Sequence, residues 1–115
     1  MDIAKIQEFQ RQFAKERDWE QFHTPKNLSM ALSAEVGELL EIFQWLTAEQ
    51  SDNLKESEKK NDVSEELADI TYYVLRIADM MDIDLEKAVW DKMKKNADKY
   101  PVSKAKGNAK KYTEL

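Results

Sequence analysis

Two stretches of this chain repeat their apolar residues with the period of an α-helix over several turns, which restricts the fold more than any other feature. Leu28, Leu32, Val36, Leu39, Phe43 and Leu46 form one stripe, and Val63, Leu67, Ile70, Val74, Ile77 and Met81 form another. Shorter stripes run through Ile3, Ile6, Phe9 and Phe13, and through Leu85, Ala88, Val89 and Met93. Start and stop signals bracket them. Asp2 and Asp84 are capping residues, and Thr24 followed by Pro25 pairs a hydroxyl cap with a residue that has no N–H to leave unsatisfied. Pro101 disfavours helical geometry at Tyr100 and closes the last stripe. The expected helices therefore run from Asp2 to about Arg17, Thr24 to about Leu46, Asp62 to Met81 and Asp84 to about Tyr100. Residues 18–24 break the first pattern, and the polar residues from Thr47 to Asn61 connect the second helix to the third, with room for one helical turn.

With 2 glycines and 2 prolines in 115 residues, many-turned β architectures are disfavoured. The expectation is an all-α fold, a four-helix-bundle-like domain over residues 1–101. A basic tail over residues 102–115, with its lysines and a glycine, is expected to be mobile or to dock late. No repeat and no second domain is evident.

The net charge of −5 argues against a binder of nucleic-acid polymers, which needs a basic face, but admits a nucleotide whose phosphates arrive with metal ions. The absence of cysteine excludes disulfides, thiolate zinc sites and cysteine nucleophiles. No run of about 18 apolar residues and no signal-peptide core is seen, so no membrane association is expected and a cytoplasmic placement follows.

The chemistry lies in acids that face inward. The second helix carries Glu35-Val36-Gly37-Glu38 and the third Glu66-Leu67-Ala68-Asp69. Spacing alone means little, since 23 acids in a chain of this length give roughly four or five pairs three apart by chance. Position around the helix means more. Glu35 falls inside the apolar stripe, Glu38 on its edge in line with Trp45, Glu66 beside Ile70 and Ile77, and Asp69 one turn below Tyr73, with Asp62 extending the same column. Such acids are costly unless paired or bound to a cation. Glu41 and Glu65 point outward and read as ordinary surface.

On the fourth helix Lys92, Asn96 and Lys99 share the face of Leu85, Val89 and Met93. Two readings follow. In the simpler one these cations pair with the inward acids, and the chain is a non-catalytic oligomerisation or regulatory module. In the other, the acids cage a metal and the fourth-helix residues grip phosphate oxygens. Four carboxylates without cysteine suit Mg²⁺ or Mn²⁺, and Glu-x-x-His, which a di-iron bundle requires, is missing from both helices. Carboxylate-held Mg²⁺ usually serves substrate phosphates, so phosphoryl chemistry is the natural reading. Trp19 and Trp45 more commonly mean packing, yet an aromatic face can also stack a base, worth about 1–3 kcal/mol. His23 alone is no catalytic signature; it suits a hydrogen bond at a helix start or to a base or sugar.

The segment Glu16-Arg17-Asp18-Trp19-Glu20-Gln21-Phe22-His23, the two acidic motifs, Phe43-Gln44-Trp45, Tyr100-Pro101 and the ending Lys111-Tyr112-Thr113-Glu114-Leu115 together resemble the MazG-like, all-α nucleotide pyrophosphohydrolase superfamily, in its dCTP pyrophosphatase branch. The resemblance spans nearly the whole chain in order. It implies that Glu35, Glu38, Glu66 and Asp69 bind Mg²⁺ and carry catalysis. It implies a nucleotide pocket from the Trp19–His23 segment, Trp45 and Tyr73, in a homodimer or homotetramer. It implies hydrolysis of a dNTP to the monophosphate and pyrophosphate in nucleotide-pool house-cleaning, with water activated by metal or by a carboxylate. One departure concerns Gln10, a further expected substrate contact, where the vertebrate dCTP enzymes carry histidine. A glutamine cannot become cationic, which loosens strict cytosine selectivity and admits other bases such as adenine.

Overall fold

The computed structural model describes residues 1–115 and contains helices and no strand. Its α-helices are α1 (Ile3–Glu16), α2 (Pro25–Phe43), α3 (Ala48–Asn53), α4 (Lys59–Met80), α5 (Leu85–Lys99) and α6 (Val102–Ala105). The expected first and second helices are α1 and α2, the third is α4 and the fourth is α5. No helix is long and apolar enough to cross a membrane.

The expected caps form. Asp2, Thr24 and Asp84 accept the backbone N–H of Lys5, Asn27 and Lys87 at 3.0, 3.1 and 3.1 Å. Two boundaries differ from the sequence reading. α4 begins a turn before Asp62, and α2 ends at Phe43 rather than near Leu46. The second difference has a local cause: Thr47 and Gln50 form a reciprocal capping box that starts α3, so the chain must turn first. Trp45 is thereby placed beyond the helix.

Two compact units emerge, Met1–Asp82 and Ile83–Leu115. In the first, α2 packs along α4 and α1 also lies on α4. Leu28, Leu75, Ala78 and Ala14 are buried there. Two glutamines stitch α1 to α4, since Gln7 and Gln10 each donate Nε2 to a backbone carbonyl, of Leu75 and Tyr72, at 2.9 Å.

The end of α1 sets up the segment that follows. Asp18 adopts φ 54°, a left-handed conformation that aspartate tolerates better than most residues. Its N–H donates to the Lys15 carbonyl and the Trp19 N–H to that of Ala14, a Schellman closure that satisfies the last carbonyls and reverses the chain. Trp19 then sits edge-on to Phe13 at 5.8 Å, followed by a 3-10 turn over Glu20–Phe22.

In the second unit, the segment expected as a mobile tail carries α6 and a 3-10 turn over Tyr112–Glu114. Tyr112 stacks edge-on against Tyr100 at 6.1 Å, donates its N–H to the Tyr100 hydroxyl at 3.3 Å, and lies under the Lys99 ammonium at 4.7 Å.

Candidate functional site

Packing of α2 against α4 brings the acidic motifs together. Carboxylate oxygens of Glu35, Glu38 and Glu66 lie within 4.8 Å of one another. The cause is elementary helix geometry, in which residues three apart share a face and each helix turns that face toward the other. One oxygen each of Glu35 and Glu66 is buried with no hydrogen-bond partner. Within Met1–Asp82, none of Glu35, Glu38, Glu66 and Asp69 forms an ion pair with a lysine or arginine.

Titration reflects the crowding. Glu66 is pushed up to about 7, first by burial and then by the carboxylates of Glu35 and Glu38. Glu35 is also raised, by burial first, with Glu38 and Asp69 adding to it and Glu66 working against. Asp69 thus bears on Glu35 through its charge while standing outside the three-residue cluster, and it is exposed. Burial, followed by Glu35, Tyr72 and Asp69, raises the Tyr73 phenol, which places Tyr73 within electrostatic reach of the acids. Like charges held this close favour either a shared proton or a multivalent cation. The donor set is all oxygen, and two of its oxygens are buried and without donors, so a hard divalent cation fits.

Beside the cluster lies a groove of about 390 Å³ lined by Glu38, Glu41, Ile42, Lys59, Asp62, Glu65 and Glu66. Glu41 and Glu65, read from the sequence as ordinary surface, therefore face this groove. Asp62 pairs with Lys59 at 3.6 Å.

The other expected contacts are distributed less tightly. Trp19 and His23 neighbour each other, with ring centroids 6.2 Å apart. Trp45 is 86% exposed and lies beyond the early end of α2, with its ring faces open. Gln10 is 1% exposed; one N–H of its amide donates to the Tyr72 carbonyl, and its buried Oε1 has no partner. Lys92, Asn96 and Lys99 are all exposed on α5, and so are Val89 and Met93, whose face was expected to be inward.

One set of polar residues escaped the sequence reading. Arg76 is 3% exposed on α4, donates to His23 Nδ1 at 3.3 Å and contacts Asp79 at 3.4 Å, while Arg11 of α1 holds Asp79 at 2.7 Å. The signal was present in the helical wheel. Arg76 continues the border column of Asp69 and Tyr73 one turn further, where a solvated cation is out of place.

The profile of the MazG-like family matches residues 30–115, which include both acidic motifs. The dCTP pyrophosphatase 1 of Rattus norvegicus is 44% identical over 114 residues, covering 98% of this chain and 67% of the rat protein. That of Homo sapiens is 43% identical, with 98% of this chain and 67% of the human protein covered. These alignments extend through the Trp19–His23 segment. A crystal structure of a pyrophosphatase from Archaeoglobus fulgidus shares the fold with a TM-score of 0.79 at 41% identity, over 88% of this chain and 94% of that one.

Proposed function

The chain belongs to the MazG-like family, and from that premise we propose that it is a nucleoside triphosphate pyrophosphohydrolase that converts a dNTP, dCTP foremost, to the monophosphate and pyrophosphate. The single observation that carries the reading is the convergence of Glu35, Glu38 and Glu66 with two buried oxygens that have no donors.

Glu35, Glu38 and Glu66, with Asp69 alongside, hold Mg²⁺, or Mn²⁺ in its place. When bound, such an ion neutralises phosphate oxygens and lowers the pKa of water. The chain's own groups do the rest. A carboxylate of the cluster accepts a proton from the attacking water as its oxygen bonds to the α-phosphorus. The bond from that phosphorus to the oxygen bridging to the β-phosphorus breaks, and pyrophosphate leaves with the electron pair. Tyr73, Trp19 and His23 line the nucleotide, Trp45 closes on the base, and Lys92, Asn96 and Lys99 steady phosphates. Gln10 supplies an acceptor rather than a cation, which favours tolerance of other bases such as adenine. The role that follows is removal of excess or modified deoxynucleotides from the cytoplasmic pool.

A panel of natural and methylated triphosphates, assayed with Mg²⁺ for both products, tests this. Pyrophosphate and the monophosphate are expected in equal amounts from dCTP. Release of orthophosphate alone, or no turnover of any triphosphate, would remove the proposal.

Assembly as a homo-oligomer of two or four chains is part of the same reading. Val36 and Leu40, one turn apart on α2, are exposed together with Phe9, Met30 and Leu67, and Val89 and Met93 repeat the pattern on α5. Large apolar patches on a soluble chain mark association surfaces. Sedimentation equilibrium at micromolar concentration is expected to give a multiple of the 13.5 kDa chain mass; a single-chain mass contradicts it.

A further inference from the structure

We propose that Arg76 is a positioning residue that holds His23 as a neutral imidazole whose Nε2–H is a fixed donor to an oxygen of the nucleotide. The acceptor's identity rests on the pyrophosphohydrolase reading; the state of the histidine rests on its contact with Arg76 and its burial.

A guanidinium does not lose its proton and offers five donors, so its burial is tolerated only where acceptors meet it. The neighbours of Arg76 on α4 are apolar, Leu75 and Ala78, both buried. Its Nε–H points instead to His23 Nδ1 at 3.3 Å, and Nη1 to Asp79 Oδ2 at 3.4 Å. Asp79 is fixed in turn by Arg11 Nη1 at 2.7 Å. A chain of side chains thus ties α1 and α4 to the turn that bears His23.

Because Nε of arginine can only donate, Nδ1 must present its lone pair, and the ring proton sits on Nε2. Burial and the adjacent Arg76 cation both hold the imidazole below the usual histidine range. Arg76 is the charged group that faces the ring, with Asp79 behind it and Arg11 beyond; Glu20, on the same turn, meets only the His23 backbone N–H through its carbonyl. Trp19 flanks the ring at 6.2 Å. His23 is only half-buried, so one edge of it can reach a ligand. A histidine kept in this state is no proton shuttle. It offers the same donor throughout the neutral range, which suits recognition of a base or sugar oxygen.

His23 is the only histidine of the chain, so nitrogen-15 NMR reads its ring without overlap. The unmodified protein is expected to show the Nε2–H tautomer alone, still neutral as pH falls through 6.5. Arg76→Met removes donor and charge at similar length. It is expected to yield both tautomers, a titration moved up toward the ordinary value but still held below it by burial, and a KM for dCTP raised about tenfold with unchanged kcat, the scale of one lost hydrogen bond. The raised KM should also become pH-dependent. Arg76→Lys retains the charge and loses the Nε–H; it should release the tautomer too, and it substitutes for Arg76→Met should that variant not fold. An Nδ1–H tautomer or an ordinary titration in the unmodified protein overturns the proposal. So does a variant whose imidazole changes while KM does not. Absence of any triphosphate turnover overturns the acceptor half alone, since NMR decides the state of His23 without substrate.

Discussion

Replacing Glu66 with glutamine is expected to abolish pyrophosphate release while raising the melting temperature of the metal-free protein above pH 7. The loss should be at least on the order of a hundredfold to a thousandfold in kcat, the scale of removing one group that stabilises charge in a transition state. The rise in melting temperature follows from the geometry. Above about 7 the native Glu66 carries a charge beside Glu35 and Glu38, with one oxygen buried and no donor to meet it. Glutamine is neutral and has the shape of the protonated acid, so it removes repulsion and supplies a donor. If the acids were instead neutralised by lysines, the same change would strand a cation and lower the melting temperature. Melting curves at pH 8 in a chelator, together with a pyrophosphate assay in Mg²⁺, separate the two. A lowered melting temperature, or turnover within tenfold of the parent, would exclude the metal-cage reading.

The helices were legible because each carries its signals locally. Asp2, Thr24 and Asp84 bond to residues three positions on, and these caps with the apolar period and Pro101 placed α1 and α5 to within a residue or so. Where the reading slipped, the deciding interaction came from a competing neighbour. Leu46 fits the stripe of α2, but the Thr47–Gln50 capping box starts another helix and ends α2 early. The extent of α5 was legible, but the exposure of its apolar face was not. A wheel shows which residues share a face, not whether that face is covered, and Val89 and Met93 are exposed.

The acidic site was legible to a similar depth. Position on the wheel singled out Glu35, Glu38, Glu66 and Asp69, and the oxygens of the first three converge. Asp69 shares their spacing but sits at the border, which is why it acts on Glu35 by charge from outside the cluster. The burial of Gln10 could not be read in advance, because its amide donates to a carbonyl 62 positions away. The Arg11–Asp79–Arg76–His23 chain likewise depends on long-range contacts, with separations of 68 and 53 positions. Local period is silent about such pairs.

Removing Mg²⁺ with a chelator is expected to stop turnover altogether and to reverse how stability depends on pH. In the metal-free protein Glu66 holds its proton to about 7, whereas in the unfolded chain it releases it near 4.5. Between those values the folded state binds more protons, so stability falls as pH rises through the window and levels off above about 7. Glu35 is shifted in the same direction and adds to the slope. A metal requires the deprotonated carboxylates, so Mg²⁺ competes with the proton and binds more tightly as pH rises through the same range. Ligand-linked stabilisation should therefore be small at pH 5.5 and large at pH 8, on the order of 10 °C with Mg²⁺ at a hundredfold excess over Kd. Melting curves at both pH values, with chelator or with Mg²⁺, measure all four corners of this cycle. The Glu66→Gln variant should flatten the metal-free slope and lose most of the Mg²⁺ gain, which ties the effect to this cluster and not to the other acids of the chain. Equal melting temperatures with and without Mg²⁺ at pH 8 would mean that the converging carboxylates hold no cation, and the proposed chemistry would lose its physical basis.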